Sequence, residues 1–76
     1  MNTPDYQALA LAIDPTLYLA EVLYQVGDPP VLRYEVKQPA ESGLPWTVAY
    51  EVTPLQAWKQ AYQSVLCELW NGALDL

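Results

Sequence analysis

The chain has 76 residues, of which 53% are hydrophobic and 16% charged, and its formal net charge is -6. It has three Lys and Arg against nine Asp and Glu, so its acidity reflects scarce cations more than abundant carboxylates. Such a composition argues against nucleic-acid binding, which needs cations to displace counterions from phosphates, and against docking on an anionic membrane. With so few charges, apolar side chains must face outward, which favours a protein partner or self-association.

The length predicts a single small domain spanning 1–76. One cysteine excludes an internal disulfide and fits a reducing compartment. No apolar run reaches the roughly 20 residues that span a bilayer, and the first residues lack the basic flank of a signal peptide. A cytoplasmic location is therefore expected.

The first predicted element is a short helix over about 4–13. Thr3, Pro4 and Asp5 combine an N-cap residue with a proline at the first helical position, ahead of the Ala/Leu-rich segment DYQALALAI. Pro15 should end this helix, because the residue before a proline is pushed away from helical geometry.

The segment from 16 to 26, TLYLAEVLYQV, fits two structures. As a helix it would begin after Pro15 and end before Gly27, leaving a two-stranded hairpin with three helices. As a strand it alternates, with Tyr18 and Tyr24 on one face and Leu19 and Leu23 on the other. The strand is preferred, because a third strand gives the helices a stable sheet to cover.

Two further strands are predicted over about 31–38 and 46–52, joined by the turn-forming segment PAESGLP. The expected register between them places opposite each other the pairs Tyr34–Tyr50, Val36–Val48 and Arg33–Glu51. The expected register between the first two strands places Tyr24 opposite Tyr34.

The last predicted element is a helix over about 54–70. Thr53 can cap it, Pro54 can be its first residue and Gln56 occupies the capping-box position, while Asn71-Gly72 should end it. At about 100° per residue, its core-facing stripe would comprise Leu55, Trp58, Tyr62, Val65 and Leu69. Trp70 and Cys67 lie off this stripe, among polar residues. In an alternative arrangement, Trp70 packs beneath the first helix or the terminal segment GALDL.

These elements define an α+β fold in which a three-stranded antiparallel meander is covered by two helices. The order and length resemble the double-stranded-RNA-binding domain. That family carries a histidine in a glycine-proline turn, where this chain has Gly27-Asp28-Pro29-Pro30, and opens its last helix with a lysine cluster, where residues 53–58 contain no cation. The resemblance therefore implies the fold together with dimerisation or protein binding, without RNA binding.

Catalytic and metal-binding motifs are not found in the sequence. There is no histidine, a single cysteine cannot form a cysteine-rich zinc site, and the three glycines form no phosphate-binding loop. The nine acidic residues are dispersed, without the spacing of a calcium loop. We expect no enzymatic activity, no cofactor and no metal.

The expected function is protein–protein interaction, as an accessory subunit, adaptor or inhibitor. The candidate contact residues are apolar or aromatic side chains that lie off the predicted core: Trp70, Cys67, Trp46, Leu19 and Leu23. The alternative is an acidic mimic of nucleic acid, of the kind that inhibits CRISPR or restriction systems. The salt dependence of binding separates the two hypotheses, because only mimicry should weaken steeply with salt.

Overall fold

The computed structural model of the protein describes residues 3–25, 27–40 and 43–74. The strands form one antiparallel sheet in the order β1-β2-β3. The elements in chain order are α1 (Tyr6–Ile13), β1 (Tyr18–Tyr24), β2 (Val31–Gln38), β3 (Trp46–Glu51) and α2 (Pro54–Leu74). This architecture confirms the predicted α+β class and the order α-β-β-β-α. The segment following Pro15 forms a strand, although Val26 lies outside the described residues.

Helix α1 begins two residues later than predicted, because its N-cap is Asp5 and not Thr3. The Asp5 carboxylate accepts a hydrogen bond of 3.1 Å from the Ala8 backbone N–H, which would otherwise have no partner in the first turn. The helix ends at Ile13, as the proline at position 15 predicts.

A turn centred on Asp14 connects α1 to the sheet. One Asp14 carboxylate oxygen accepts hydrogen bonds from the backbone N–H and the hydroxyl of Thr16, and the other accepts from Gln38 Nε2 at 2.7 Å. These bonds hold Thr16 in the turn, so that β1 begins at Tyr18. The hydroxyl of Thr16 contributes most to lowering the pKa of Asp14, and Gln38 also contributes.

We expect Asp14 to make the domain sensitive to acid. Its pKa is lowered in the folded state, so its contribution to stability is complete above its ordinary value of 3.8 and disappears as the pH falls through the folded value. Urea denaturation measured between about pH 2 and pH 6 should show a smaller acid-induced loss for Asp14→Asn than for the wild type. Asp28→Asn, in the exposed β1–β2 turn, is the control. An unchanged acid profile for Asp14→Asn would contradict this role.

Strands β1 and β2 pair without interruption from Tyr18–Lys37 to Tyr24–Val31. The predicted pairing of Tyr24 with Tyr34 is therefore wrong. The turn is centred between Gly27 and Asp28, earlier in the chain than that pairing requires.

Strands β2 and β3 contain a β-bulge that changes their register. The first two pairs agree with the predicted register: Gln38–Trp46 and Lys37–Thr47. Beyond the irregularity the pairs are shifted by one residue: Val36–Ala49, Glu35–Tyr50 and Tyr34–Glu51. Val48 is the extra residue of the bulge. The predicted pairs Val36–Val48, Tyr34–Tyr50 and Arg33–Glu51 are consequently wrong.

The hydrophobic core lies between the sheet and the two helices. Its buried members are Ala10, Leu17, Val36, Ala49, Ala57, Trp58, Ala61 and Val65, with Tyr62 packed against them. Trp58, Tyr62 and Val65 thus confirm part of the predicted stripe. Leu55 and Leu69 are exposed, which contradicts their assignment to the core. The small side chains of Ala57 and Ala61 are fully buried and let α2 approach its neighbours closely.

Helix α2 begins as predicted and ends later than predicted. Thr53 Oγ1 accepts a bond of 3.2 Å from the Gln56 backbone N–H, and its hydroxyl donates to Gln56 Oε1 at 3.1 Å. The helix continues through Asn71 and Gly72 to Leu74, because a glycine weakens a helix by about 1 kcal/mol relative to alanine without necessarily ending it. Over the described residues, no helix combines the length and apolarity needed to cross a membrane.

Candidate interaction surfaces

The five predicted contact residues are all exposed to solvent. They are Trp70, Cys67, Trp46, Leu19 and Leu23. Exposure places them outside the core, and their role in binding stays a prediction. They do not form one surface, because β1 and β3 are the two opposite edges of the sheet, and Cys67 and Trp70 belong to α2.

The end of α2 projects beyond the rest of the domain. Residues 67–71 are all exposed, and five residues span more than one helical turn. Leu69 lies only about 40° around the helix from Val65, which is buried, yet it is 58% exposed. Among the described residues, neither α1 nor the sheet covers positions 67–71 of α2. Leu69 and the 63% exposed Trp70 are therefore presented on a free helix end.

Trp46, the first residue of β3, lies next to the side of α2 that is opposite Trp70. It is 69% exposed and lines a shallow groove together with Gln38, Ser64 and Glu68. Glu68 is about 200° around the helix from Trp70. A single flat partner could therefore not contact both indoles across α2, and the two tryptophans belong to separate surfaces.

The outer edge of β3 is closed by side chains of α2. The Tyr50 backbone N–H donates to Gln60 Oε1 at 2.8 Å, and the Val48 carbonyl oxygen accepts from Ser64 Oγ at 3.2 Å. The bulge also makes this edge irregular. Capped and bulged edges resist pairing with another strand.

The outer edge of β1 lacks such protection. Among the hydrogen bonds of the described residues, none joins a side chain to the backbone of Tyr18–Tyr24. Leu19 also lines a groove of about 560 Å³ between α1, β1 and the start of α2. The exposed Leu55 lines the same groove. Sequence periodicity missed Leu55 as a surface residue because it assigned this side chain to the core.

The sheet face that turns away from the helices carries a polar and aromatic cluster. Glu35 is only 8% exposed there and accepts a hydrogen bond of 3.3 Å from the Thr47 hydroxyl. The rings of Tyr24 and Tyr50 meet edge to face with centroids 5.8 Å apart. Desolvation, followed by the negative charge of Glu35, raises the pKa of Tyr24. Sequence alternation did not predict this cluster, because the bulge turns Tyr50 to the face opposite Tyr34.

Comparison with protein-family models, with curated proteins and with solved structures finds no match to the chain. The order α-β-β-β-α is therefore established as an architecture only. The geometry of the exposed surfaces is the remaining guide to function.

Proposed function

We propose that the chain is a non-enzymatic interaction module that binds a protein partner through apolar and aromatic side chains, as an adaptor, accessory subunit or inhibitor. The observation that supports this proposal is the free end of α2, where Leu69 and Trp70 are exposed. A helix end that presents a tryptophan and a leucine suits a groove on a partner, and tryptophan is enriched where binding energy is concentrated.

The charges around the helix end indicate what kind of groove fits. The carboxyl end of a helix carries a partial negative charge, and the last turn of α2 contains no basic residue that would compensate it. We therefore expect the partner's apolar groove to be flanked by Lys or Arg.

The positions of the three cations support the absence of nucleic-acid binding. Lys59 Nζ lies 5.9 Å from the ring centroid of Tyr6 on the helical side. Arg33 and Lys37 lie on either side of Glu35 along β2. This distribution provides no continuous basic surface that could follow a phosphate backbone, so the shared element order with the double-stranded-RNA-binding domain does not imply its ligand.

The alternative function, mimicry of nucleic acid, has less support. A mimic presents carboxylates at the spacing of phosphates, whereas Glu35 is nearly buried and Asp14 is bonded to Thr16 and Gln38. Raising the salt concentration tests the choice directly. Binding through Leu69 and Trp70 should weaken only modestly, because apolar contacts would supply most of the affinity, and a steep loss of affinity would favour mimicry.

We expect Trp70→Ala to remove binding without unfolding the domain. Proteins captured by the full-length chain from its native cells would be identified, and the affinity of the purified partner would be measured for the wild type and the variant. The loss should be at least about 30-fold, corresponding to roughly 2 kcal/mol, while the melting temperature changes little. Cys67 should react quickly with a maleimide in the free chain and slowly in the complex, because it lies about 60° around the helix from Trp70.

Gln63→Ala is the matched control, since Gln63 is exposed on the same helix within the part that packs on the domain. It should preserve both affinity and stability. A partner that binds Trp70→Ala as tightly as the wild type, or a Cys67 that reacts equally fast in the complex, would contradict the proposed surface.

A further inference from the structure

Strand β1 exposes a regular edge whose free backbone groups can be identified. The Tyr50 N–H points away from β2, toward Gln60, so Glu35 and Tyr50 form a non-hydrogen-bonded pair. Because backbone groups alternate in direction along a strand, Glu35 hydrogen-bonds on its other side, to Ala20 of β1. The N–H and C=O groups that point outward from β1 consequently belong to Leu19, Glu21 and Leu23.

This edge has few of the features that prevent strands from pairing. Natural edges are blunted by lysines, prolines, bulges or short length. Strand β1 has seven residues in unbroken register with β2, contains neither lysine nor proline, and carries one charge, at Glu21. The outer edge of β3, which has no neighbouring strand, is capped by side chains of α2. The fold therefore protects one of its two edges and leaves the edge of β1 uncapped among the described residues.

We propose that β1 pairs in antiparallel fashion with β1 of a second copy of the chain, joining the two sheets into one. The proposal goes beyond the proposed function, because it concerns the chain alone and an edge distant from the end of α2.

The sequence of β1 is complementary to itself in this arrangement. Antiparallel pairing about a two-fold axis at Glu21 places opposite each other Tyr18 and Tyr24, Leu19 and Leu23, and Ala20 and Val22 of the two copies. Each of these pairs is apolar or aromatic and would stabilise the sheet. Only the two copies of Glu21 would face each other as like charges, and their repulsion would lower the affinity of the dimer.

Exposed apolar side chains beside the free edge favour a second copy. Leu19 is 36% and Leu23 55% exposed. In the paired arrangement each leucine lies opposite the other in the partner copy, where the two would contact each other across the new pair of strands.

The test measures the mass of the purified full-length chain by sedimentation at micromolar to hundred-micromolar concentration. The wild type should approach twice 8.5 kDa. Leu23→Lys should weaken the dimer at least about tenfold, because lysine on an edge strand opposes pairing. Its circular dichroism should be unchanged, since Leu23 is already 55% exposed. Leu44→Lys makes the same substitution in the exposed β2–β3 loop and should leave the dimer intact.

A cysteine at the two-fold axis tests the register. In a Cys67→Ser background, Glu21→Cys should form an intermolecular disulfide rapidly, because a hydrogen-bonded pair has Cα atoms about 5.5 Å apart, within the range for a disulfide. Leu23→Cys should form it much more slowly, since the two copies of that residue would be about 14 Å apart.

Three results would overturn the proposal: a monomer throughout the concentration range, a dimer unaffected by Leu23→Lys, or equal rates of disulfide formation at the two positions. None of these results bears on Trp70 and its partner, so the two proposals can fail independently.

Discussion

Replacing Trp58 with alanine is expected to unfold a large fraction of the protein. Trp58 is 6% exposed and packs among Ala57, Ala61 and Val65 in the core. Removing a buried aromatic side chain costs about 3–5 kcal/mol, because contacts are lost and a cavity remains. A domain of this size has a total stability near the lower end of the usual 5–15 kcal/mol. Urea denaturation followed by circular dichroism should therefore show a large shift of the midpoint to lower urea, or no folded baseline.

The two other tryptophans provide matched controls for this prediction. Trp46 and Trp70 are mostly exposed, so replacing either with alanine should change the free energy of unfolding by no more than about 0.5 kcal/mol. If all three substitutions lowered the free energy of unfolding equally, burial of Trp58 in the core would not contribute more to stability than the two exposed tryptophans.

The starts and ends of elements could be predicted where a few adjacent residues determine them. Thr53 and Gln56 form reciprocal hydrogen bonds within one turn, so their spacing in the sequence contains the required information. At α1 two successive residue types could serve as the cap, and Asp5 rather than Thr3 does so because its carboxylate reaches the Ala8 N–H. The local pattern indicated a helix start without choosing between them.

The pairing of β2 with β3 could not be predicted, because the bulge has no local signal. Alternation along β3 gives a period of two and assumes that every residue has one partner. Val48 and Ala49 instead both pack toward α2, which shifts all later pairs by one residue. The shift depends on contacts with a helix that follows in the chain, and it moves Glu51 from Arg33 to Tyr34.

The candidate surfaces were only partly predictable for a related reason. Helical periodicity gives the direction of a side chain, and for Trp70 and Cys67 that direction agrees with the exposure that the structure shows. It does not show how far the neighbouring elements extend. Leu69 has the angular position of a core residue and is exposed because α2 is longer than the layer it covers. The free edge of β1 likewise depends on where α2 lies, since α2 closes the edge of β3.

The two proposed surfaces, the edge of β1 and the end of α2, both follow from the position of α2 over one side of the sheet. Because α2 lies against β3, its side chains protect that edge, whereas no side-chain hydrogen bond among the described residues caps the edge of β1 on the other side of the sheet. The length of α2 then places Trp70 beyond the sheet. A dimer formed through β1 would leave both copies of this helix end available, so that one assembly could bind two partner molecules.

The close approach of α2 to its neighbours predicts that Ala61→Leu is strongly destabilising. Ala61 has no exposed surface and belongs to a core that includes two further fully buried alanines, Ala10 and Ala57. A leucine there must displace α1 or the sheet, and overpacking of this kind costs about 1–3 kcal/mol. Ala12→Leu is the matched control, because Ala12 is exposed on α1, and it should change stability by no more than about 0.5 kcal/mol. Thermal and urea denaturation of the two variants measure the difference. Equal stability of the two variants would contradict the placement of Ala61 at a close contact between α2 and its neighbours.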